Sequence, residues 1–398
     1  MQLRFPGFED EWNQFKLQDI VEINPKSSNL PNEFYYIDLG VINNGRLSDN
    51  IKKIKLSEAP SRAQRLLEIN DILFQTVRPY QKNNFLFLIN NKDKKYVSST
   101  GYAQLRTKSI VSTFFTYYML YAESFIKKVL SLSSGSNYPA VNSKDLSKIM
   151  IYLPSIIEQK NIGSLLFNVD MKIRVLENLF GIYQKFKKYL LQQIFGRLAK
   201  KLQFKNVYSL KVSEIIMSIS PKNYQINKND IKKSGAFPVL DQGKTLISGF
   251  CDDETKLFDN VPIILFGDHT TVLKYAAKPF IVGGDGVKLL KPKININLKY
   301  LYYNLIFNNI NPEGYKRHFS ILKNKKISIH NSIEEQEKIA NFLSAVDKKI
   351  DLIQTQIDEM EKFKKGLLQQ MFISRINSLI ITIILISLES SHVFRFFF

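Results

Sequence analysis

Asp241, followed by Glu254-Thr255-Lys256, sets two carboxylates and a lysine in one short region. A metal-dependent nuclease uses such a set to hold a divalent ion against a phosphodiester. Triplets of this kind arise freely in a lysine-rich chain, and the first half has no equivalent, so the signal is weak. Four histidines (His269, His318, His330 and His392) are scattered without ligand spacing, so no metal site is expected. The single cysteine, Cys251, excludes a disulfide framework and any cysteine-rich metal site. Gly283-Gly284-Asp285-Gly286 lacks the Lys-Ser/Thr of a P-loop and the spacing of a dinucleotide site, and reads as a tight β-turn. Asn24-Pro25-Lys26 and Asn137-Tyr138-Pro139 do not make the Asn/Asp-Pro-Pro-aromatic loop with which an amino-methyltransferase grips a flipped base. No catalytic constellation is expected in this chain.

Binding chemistry is better represented. Asp71-Ile72-Leu73-Phe74 is followed by Thr76, Arg78, Pro79, Tyr80, Gln81 and Lys82. In the second half, Ile263-Ile264-Leu265-Phe266 is followed by Asp268, His269, Thr270, Thr271 and Lys274. A second cluster holds Ser136, Asn137, Tyr138 and Asn142, and its later counterpart holds Tyr315, Lys316, Arg317 and His318. These side chains reach base edges and phosphates. Each loop alone is a weak signal, and recurrence at matching places strengthens it. The net charge of +20 and pI of about 9.6 point the same way. A surplus of that size favours a polyanion, nucleic acid before an anionic membrane surface.

The elements that must position these loops follow from a repeat. Residues 155–195 align without a gap on 332–372, and nineteen of the 41 positions are identical. Glu158-Gln159 returns as Glu335-Gln336, Val169-Asp170 as Val346-Asp347, and Lys185-Phe186-Lys187-Lys188 as Lys362-Phe363-Lys364-Lys365. Both copies carry a 4-3 hydrophobic spacing, Ile162-Leu166-Val169-Ile173-Leu176 in one and Leu343-Val346-Ile350-Ile353-Ile357 in the other. That spacing predicts long helices wound on a partner helix, each a rod of roughly 57 Å. One lysine, Lys187 or Lys364, interrupts the seam at the same register.

Ahead of each rod lies folded-looking sequence of 44% apolar and 23% charged overall composition. Short strands are expected at 34–39, 71–76, 85–89 and 102–105, and again at 236–240, 262–266, 280–282 and 287–290. A short helical segment near Leu17–Ile23 has a counterpart at Val212–Ile216. Tyr117-Tyr118 recurs as Tyr302-Tyr303. The globular halves share this order but little residue identity. Ile376 to Leu388 is a largely apolar run that is short for a membrane span and reads as an added tail.

Taken together, the chain resembles the specificity subunits of type I restriction–modification systems. The residues that carry the resemblance are Ile37-Asp38-Leu39-Gly40, Ala59-Pro60-Ser61-Arg62-Ala63, Asp71-Ile72-Leu73-Phe74, Thr76-Val77-Arg78-Pro79-Tyr80, Ser99-Thr100-Gly101 and Tyr138-Pro139-Ala140-Val141-Asn142. The second half adds Pro238-Val239-Leu240-Asp241-Gln242-Gly243, Phe266-Gly267-Asp268-His269-Thr270 and Gly284-Asp285-Gly286-Val287-Lys288, and each rod opens with Glu-Gln. The resemblance covers residues 1–373.

It implies two tandem mixed α/β target-recognition domains and two long antiparallel coiled-coil-like helices in a pseudo-twofold repeat. The expected boundaries are 1–154 and 199–331 for the domains, 155–198 and 332–373 for the helices, and 374–398 for the tail. Each domain is expected to read one half of a split site in double-stranded DNA. The helices are expected to space the domains and to dock two modification (methyltransferase) subunits, with a restriction (translocase/nuclease) subunit joining them. The chain itself is then a non-catalytic, cytoplasmic protein that binds no cofactor. S-adenosylmethionine, ATP and Mg2+ belong to the partner subunits. DNA contacts are expected at Arg78, Tyr80, Gln81, Lys82, Ser136, Asn137, Tyr138, His269, Thr270, Thr271, Lys274, Lys316, Arg317 and His318. A self-contained nuclease built on Asp241, Glu254 and Lys256, or a coiled-coil scaffold without a DNA role, stand as the alternatives.

Overall fold

The β-branched and aromatic runs of the first half form strands in the computed structural model, which describes residues 3–26, 29–91, 93–135, 137–196, 207–314 and 316–372. The chain divides into two units, residues 1–176 with 356–398 and residues 177–355. Unit 1 begins with β1 (Asn13–Lys16), α1 (Leu17–Ile20), β2 (Val21–Ile23), β3 (Glu33–Ile37), β4 (Ile42–Asn43), β5 (Arg46–Leu47) and β6 (Lys53–Lys55). It continues with β7 (Ala63–Leu66), β8 (Ile72–Gln75), β9 (Phe85–Leu86), β10 (Tyr96–Ser99) and β11 (Tyr102–Thr107). Then come α2 (Thr113–Met119), α3 (Glu123–Ser131), α4 (Ser143–Ser147), β12 (Met150–Leu153) and the start of α5 (Ile156–Phe195).

Unit 2 holds the rest of α5, then β13 (Val207–Lys211), α6 (Val212–Ile215), β14 (Ile216–Ile219), β15 (Gln225–Ile226), β16 (Phe237–Leu240) and β17 (Gly249–Cys251). There follow β18 (Ile263–Gly267), β19 (Leu273–Ala276), β20 (Ile281–Gly283), β21 (Val287–Pro292), α7 (Leu298–Phe307), α8 (Phe319–Asn324), β22 (Lys326–His330) and the start of α9 (Ile333–Met371). The last part of α9 belongs to unit 1. Each long helix therefore contributes residues to both units. The apolar run 376–388 lies outside the described residues.

Each unit has the same layers. A four-stranded antiparallel sheet, β2-β11-β8-β9 or β14-β21-β18-β19, carries the buried central strand β8 or β18. A small hairpin-like pair, β1 with β12 or β13 with β22, ties the beginning of each half to the strand before its long helix. The second four-stranded sheet differs. In unit 1 it runs β6-β3-β10-β7, with β7 antiparallel to β10. In unit 2 it runs β15-β20-β16-β17, and the edge strand beside β20 is β15, which is parallel to it and comes from an earlier stretch of chain.

The helices expected at Leu17–Ile23 and Val212–Ile216 stop after one turn. Val21–Ile23 and Ile216–Ile219 instead extend as edge strands on β11 and β21. A four-residue helix is marginal in water, and a β-branched run beside an open sheet edge gains ladder hydrogen bonds by straightening. Lys16 and Lys211 head the two turns, and Asp19 and Glu214 bond back to their backbone N–H groups at 2.9 and 2.6 Å.

The 4-3 seam is buried as its spacing predicts, except at Ile350, which is half-buried. Ile162, Leu166, Val169 and Ile173 of α5 join Leu367, Met371 and Phe372 in the core of unit 1. Leu191 and Phe195 join Ala340 and Leu343 in the core of unit 2. Within unit 1, Phe372 meets Phe115 of α2, which lies against Gly163 near the start of α5, while Lys364 reaches Asp170 further along α5, so the two long helices run antiparallel there. Within unit 2, Lys187 meets Asp347 while Leu191 and Phe195, further along α5, share a core with Leu343 and Ala340, earlier on α9, which gives the same sense.

The lysines that interrupt the seam are pairing groups. Lys364 meets Asp170 at 2.5 Å, and Lys187 meets Asp347 at 2.5 Å. Each aspartate also accepts a tyrosine hydroxyl, from Tyr118 at 2.6 Å and from Tyr303 at 2.9 Å. The ammonium groups lie over the rings of those tyrosines, at 5.8 and 5.6 Å. The Glu-Gln motif is equally structural in its glutamine. Gln159 accepts from Ser112 N–H and donates to the Pro154 carbonyl, and Gln336 accepts from Asn297 N–H and donates to the His330 carbonyl. Ser112 and Asn297 are the N-caps of α2 and α7, so each glutamine clamps a long helix to the helix packed on it.

Candidate nucleic-acid interface

In unit 1 the two loops singled out in the sequence are joined. β8 is buried along its whole length, and Asp71 at its entry is fully enclosed. That carboxylate accepts two hydrogen bonds from Arg106 at 2.9 Å and one from Gln104 at 2.7 Å. Past the strand, Thr76 donates both its N–H and its hydroxyl to the Gly101 carbonyl. Val77 bridges Ala140, Val141 N–H donates to the Thr76 carbonyl, and Arg78 N–H donates to the Pro139 carbonyl at 2.8 Å. The 76–82 loop and the 137–142 loop are therefore one backbone-stitched cluster, assembled from segments some sixty residues apart.

Arg78 and Lys82 flank a single turn, Pro79–Gln81, and both have left-handed backbone, with φ of 54° each. Tyr80 and Tyr138 stand out, 50% and 62% exposed. Gln81 and Asn137 are also exposed, and Lys82 donates to the Tyr121 carbonyl at 3.2 Å. Gln81 is steered by Gln75, whose amide donates to it at 2.8 Å. Ser136 and Tyr315 lie outside the described residues.

Unit 2 joins its loops too, with side chains adding to the main-chain bonds. Asp268 N–H donates to the Gly286 carbonyl, matching the Thr76–Gly101 bond. The Asp268 carboxylate accepts from Phe319 N–H at 2.8 Å, and its carbonyl accepts from both the N–H and Nδ1 of His318. His318 Nε2 accepts from Glu313 N–H at 2.9 Å. Gln242 accepts from His269 N–H, takes the Thr270 hydroxyl on its carbonyl and donates to the Asp285 carbonyl. Gly286 has a φ of +82°, and a β-carbon there would sit 2.8 Å from Gln242 and His269, so the turn admits little besides glycine.

Three of the expected contact residues change role. His318 is 0% exposed with both ring nitrogens engaged inside the loop, so it anchors the cluster. Lys274 is 4% exposed within β19 and bonds Asp241 at 3.3 Å, with burial pulling its ammonium below the usual lysine range against the pull of Asp241. Thr271 is buried, has φ of +59° and takes Asn309 on its carbonyl, so it forms the bend. Thr270, Lys316 and Arg317 are exposed, His269 is half-buried, and Lys316 pairs with Glu313. Sequence reading quoted Gln242 and Asp285 for the resemblance without giving them a place in the site, and missed Gln225, which donates to Asp285 at 2.6 Å. The Gly283–Gly286 turn was the available signal, since a turn of that kind must be fastened by something.

The Asp241, Glu254 and Lys256 set is held by local contacts. Asp241 is engaged by Lys274 and by Gly243 N–H, and Glu254–Lys256 form a short turn capped by Asp253. Among the described residues, no group of three or more His, Cys, Asp or Glu is placed to hold a metal ion. Among them also, no helix is long and apolar enough to cross a membrane.

The family model of the type I restriction–modification DNA specificity domain matches twice, over residues 9–180 and 210–362. A putative type I restriction enzyme specificity subunit, MjaX, of Methanocaldococcus jannaschii is 22% identical over 407 aligned residues, covering 92% of this chain and 94% of the relative. The crystal structure of the type I restriction–modification S subunit from M. genitalium superposes with a TM-score of 0.65 at 16% identity, covering 94% of this chain and 98% of that one. A chain from a structure concerned with complex assembly and conformational transition of a type I R-M system gives a TM-score of 0.52 at 19% identity, covering 93% and 99%. The fold is thus shared with these structures, and the two matched segments are the two halves already distinguished by their loops. On the strength of the double match, this chain belongs to the family of type I restriction–modification DNA specificity proteins, whose business is recognition of a DNA target.

Proposed function

We propose that this chain is the sequence-reading subunit of a type I restriction–modification complex and that its target is bipartite, one half-site for each unit. The observation that carries the reading is the recurrence of one construction. In each unit, the loop after the buried strand is bonded to the glycine turn beside it and to a remote loop ahead of the long helix. Two loop clusters of one design but different side chains suit two different half-sites. Arg78, Tyr80, Gln81, Asn137 and Tyr138 serve unit 1, with Lys82 on phosphate. His269, Thr270, Lys316 and Arg317 serve unit 2.

The chemistry lies with partners. Two modification subunits dock on the long helices and bring S-adenosylmethionine, and a restriction subunit brings ATP-driven, Mg2+-dependent cleavage. Support for docking comes from apolar side chains left exposed on the helices, Ile182 and Tyr189 on α5 and Phe342 and Leu352 on α9. Scattered apolar exposure is ordinary, but several large side chains on one helix mark an interaction surface. Methylome sequencing of the host with and without this chain tests the reading. Loss of one bipartite methyladenine motif is expected; an unchanged methylome would defeat it.

A further inference from the structure

We propose that Tyr138 is a positioning residue that holds Arg78 as a guanine-reading fork in unit 1. The proposal rests on the half-site reading above and names the base class and the device. The main chain of Arg78 is fixed first: its N–H donates to Pro139, Val77 beside it bridges Ala140, and its carbonyl accepts from Gln81 N–H at 3.0 Å. The left-handed φ of 54° is a conformation that glycine adopts freely and other residues seldom adopt. An arginine kept there by its surroundings marks a site where the side chain matters.

The side chain is fixed next. The guanidinium carbon lies 4.2 Å from the centre of the Tyr138 ring, a stacked arrangement. Nε is buried and has no hydrogen-bond partner. Among the described residues no carboxylate forms an ion pair with Arg78. Stacking with Nε sealed leaves the two terminal amino groups as the hydrogen-bonding fork, held in one plane. Two parallel donors in a fixed plane match the O6 and N7 acceptors of guanine in the major groove. A phosphate also accepts two hydrogen bonds, but it carries no sequence information and does not require the plane to be fixed. Among the described residues of unit 2 no arginine lies over an aromatic ring, and the His318 ring at the corresponding junction is bonded inward.

The test uses the assembled complex and selection from a randomised duplex pool, followed by competition binding on the selected site. Wild type is expected to select a bipartite motif with a guanine in one half. Arg78→Lys keeps the charge but not the fork, and should lower preference for that guanine roughly 5- to 150-fold with an unchanged salt slope. Tyr138→Leu should lower it about two- to fivefold at the same position only, and Tyr138→Phe should restore it. Replacing the guanine by 7-deazaguanine, which keeps O6 but removes the N7 acceptor, should narrow the difference between wild type and Tyr138→Leu. Equal weakening on all sequences by Arg78→Lys assigns Arg78 to phosphate and overturns the proposal, as does a Tyr138→Leu variant with wild-type preference. Failure of wild type to select any bipartite motif removes the half-site reading itself. A sharp motif indifferent to Arg78 and Tyr138 removes only the fork.

Discussion

In unit 1 the two loops are joined mainly by main chain, through Val77–Ala140, Arg78–Pro139 and Thr76–Gly101, while Tyr80 and Tyr138 stand exposed. In unit 2 side chains add to the main-chain bonds of the junction, with His318, Asp268 and Gln242 turned inward. Beneath both clusters two parts of the scaffold answer each other. Tyr118–Asp170–Lys364 answers Tyr303–Asp347–Lys187, and the clamp of Gln159 on Ser112 answers that of Gln336 on Asn297. The difference teaches where variation is tolerated. Polar groups that seat the long helices are buried among partners they cannot lose, whereas loops facing solvent can change which atoms do the fastening as long as every buried polar group is satisfied.

The comparison can be broken most sharply at His318. His318→Ala leaves Asp268 and the Glu313 N–H short of partners inside a closed loop, and should cost about 2–4 kcal/mol in unit 2. Its functional mark is loss of one half of the recognition motif while the other half stays sharp; loss of both halves together would refute separate junctions.

A second contrast lies on the long helices. Gly163 of α5 has Ala340 as its repeat partner on α9. A β-carbon on Gly163 would stand 2.7 Å from the Phe115 nitrogen and 2.9 Å from Phe114 Cβ, so α2 packs closely there. Gly163→Ala should destabilise unit 1 by about 1–2 kcal/mol, overpacking outweighing the gain in helix propensity. Denaturant melting checks it, and a stabilised protein would show that α2 can retreat.

The seam lysines should behave alike. Lys364→Met and Lys187→Met each leave a partly enclosed aspartate with only its tyrosine, for about 1–2 kcal/mol apiece after allowance for solvent screening. Unequal costs measured by melting would undo their equivalence.

The smallest expected effect is on pH. His330, bonded to Tyr300 at 2.7 Å, stands at the end of β22 where Leu153 ends β12 in unit 1. Burial pulls its imidazole below the usual histidine range, with Glu335 opposing. The unfolded chain therefore takes up a proton near pH 6.5 that the folded unit resists. Stability from this group is present above that pH and is lost as the pH falls from about 6.5 towards the lower folded value. Melting at pH 7.5 and pH 5.5 should show a loss of under about 1 kcal/mol. The loss should vanish in the double variant His330→Leu, Tyr300→Phe, which copies Leu153 and Phe115 of unit 1.

Much of the architecture was legible because its signals are local. A 4-3 apolar spacing is a property of one helix, and an ungapped repeat of 41 positions needs no third dimension to be seen. The strands around β8 and β18 announced themselves by buried β-branched and aromatic runs. The helix expected at Leu17–Ile23 ends three residues early, at Ile20, because a neighbouring sheet edge draws Val21 into a strand, whereas the one expected at Val212–Ile216 ends within a residue of its bound. The candidate contact residues were chosen by side-chain type, which says nothing of the direction a side chain takes. His318 and Arg317 are neighbours in sequence, yet one is sealed and the other exposed.

By itself, then, the sequence determined the duplication, the two long helices, the positive charge and the two pairs of polar loops, all of which reside in residue type and spacing along one strand of chain. Only the tertiary structure decided that Lys187 and Lys364 are partners of Asp347 and Asp170, that loops sixty residues apart close on one another, and that Arg78 lies on Tyr138. Those are through-space facts, fixed by which backbone groups and rings meet after folding, and no spacing along the chain encodes them.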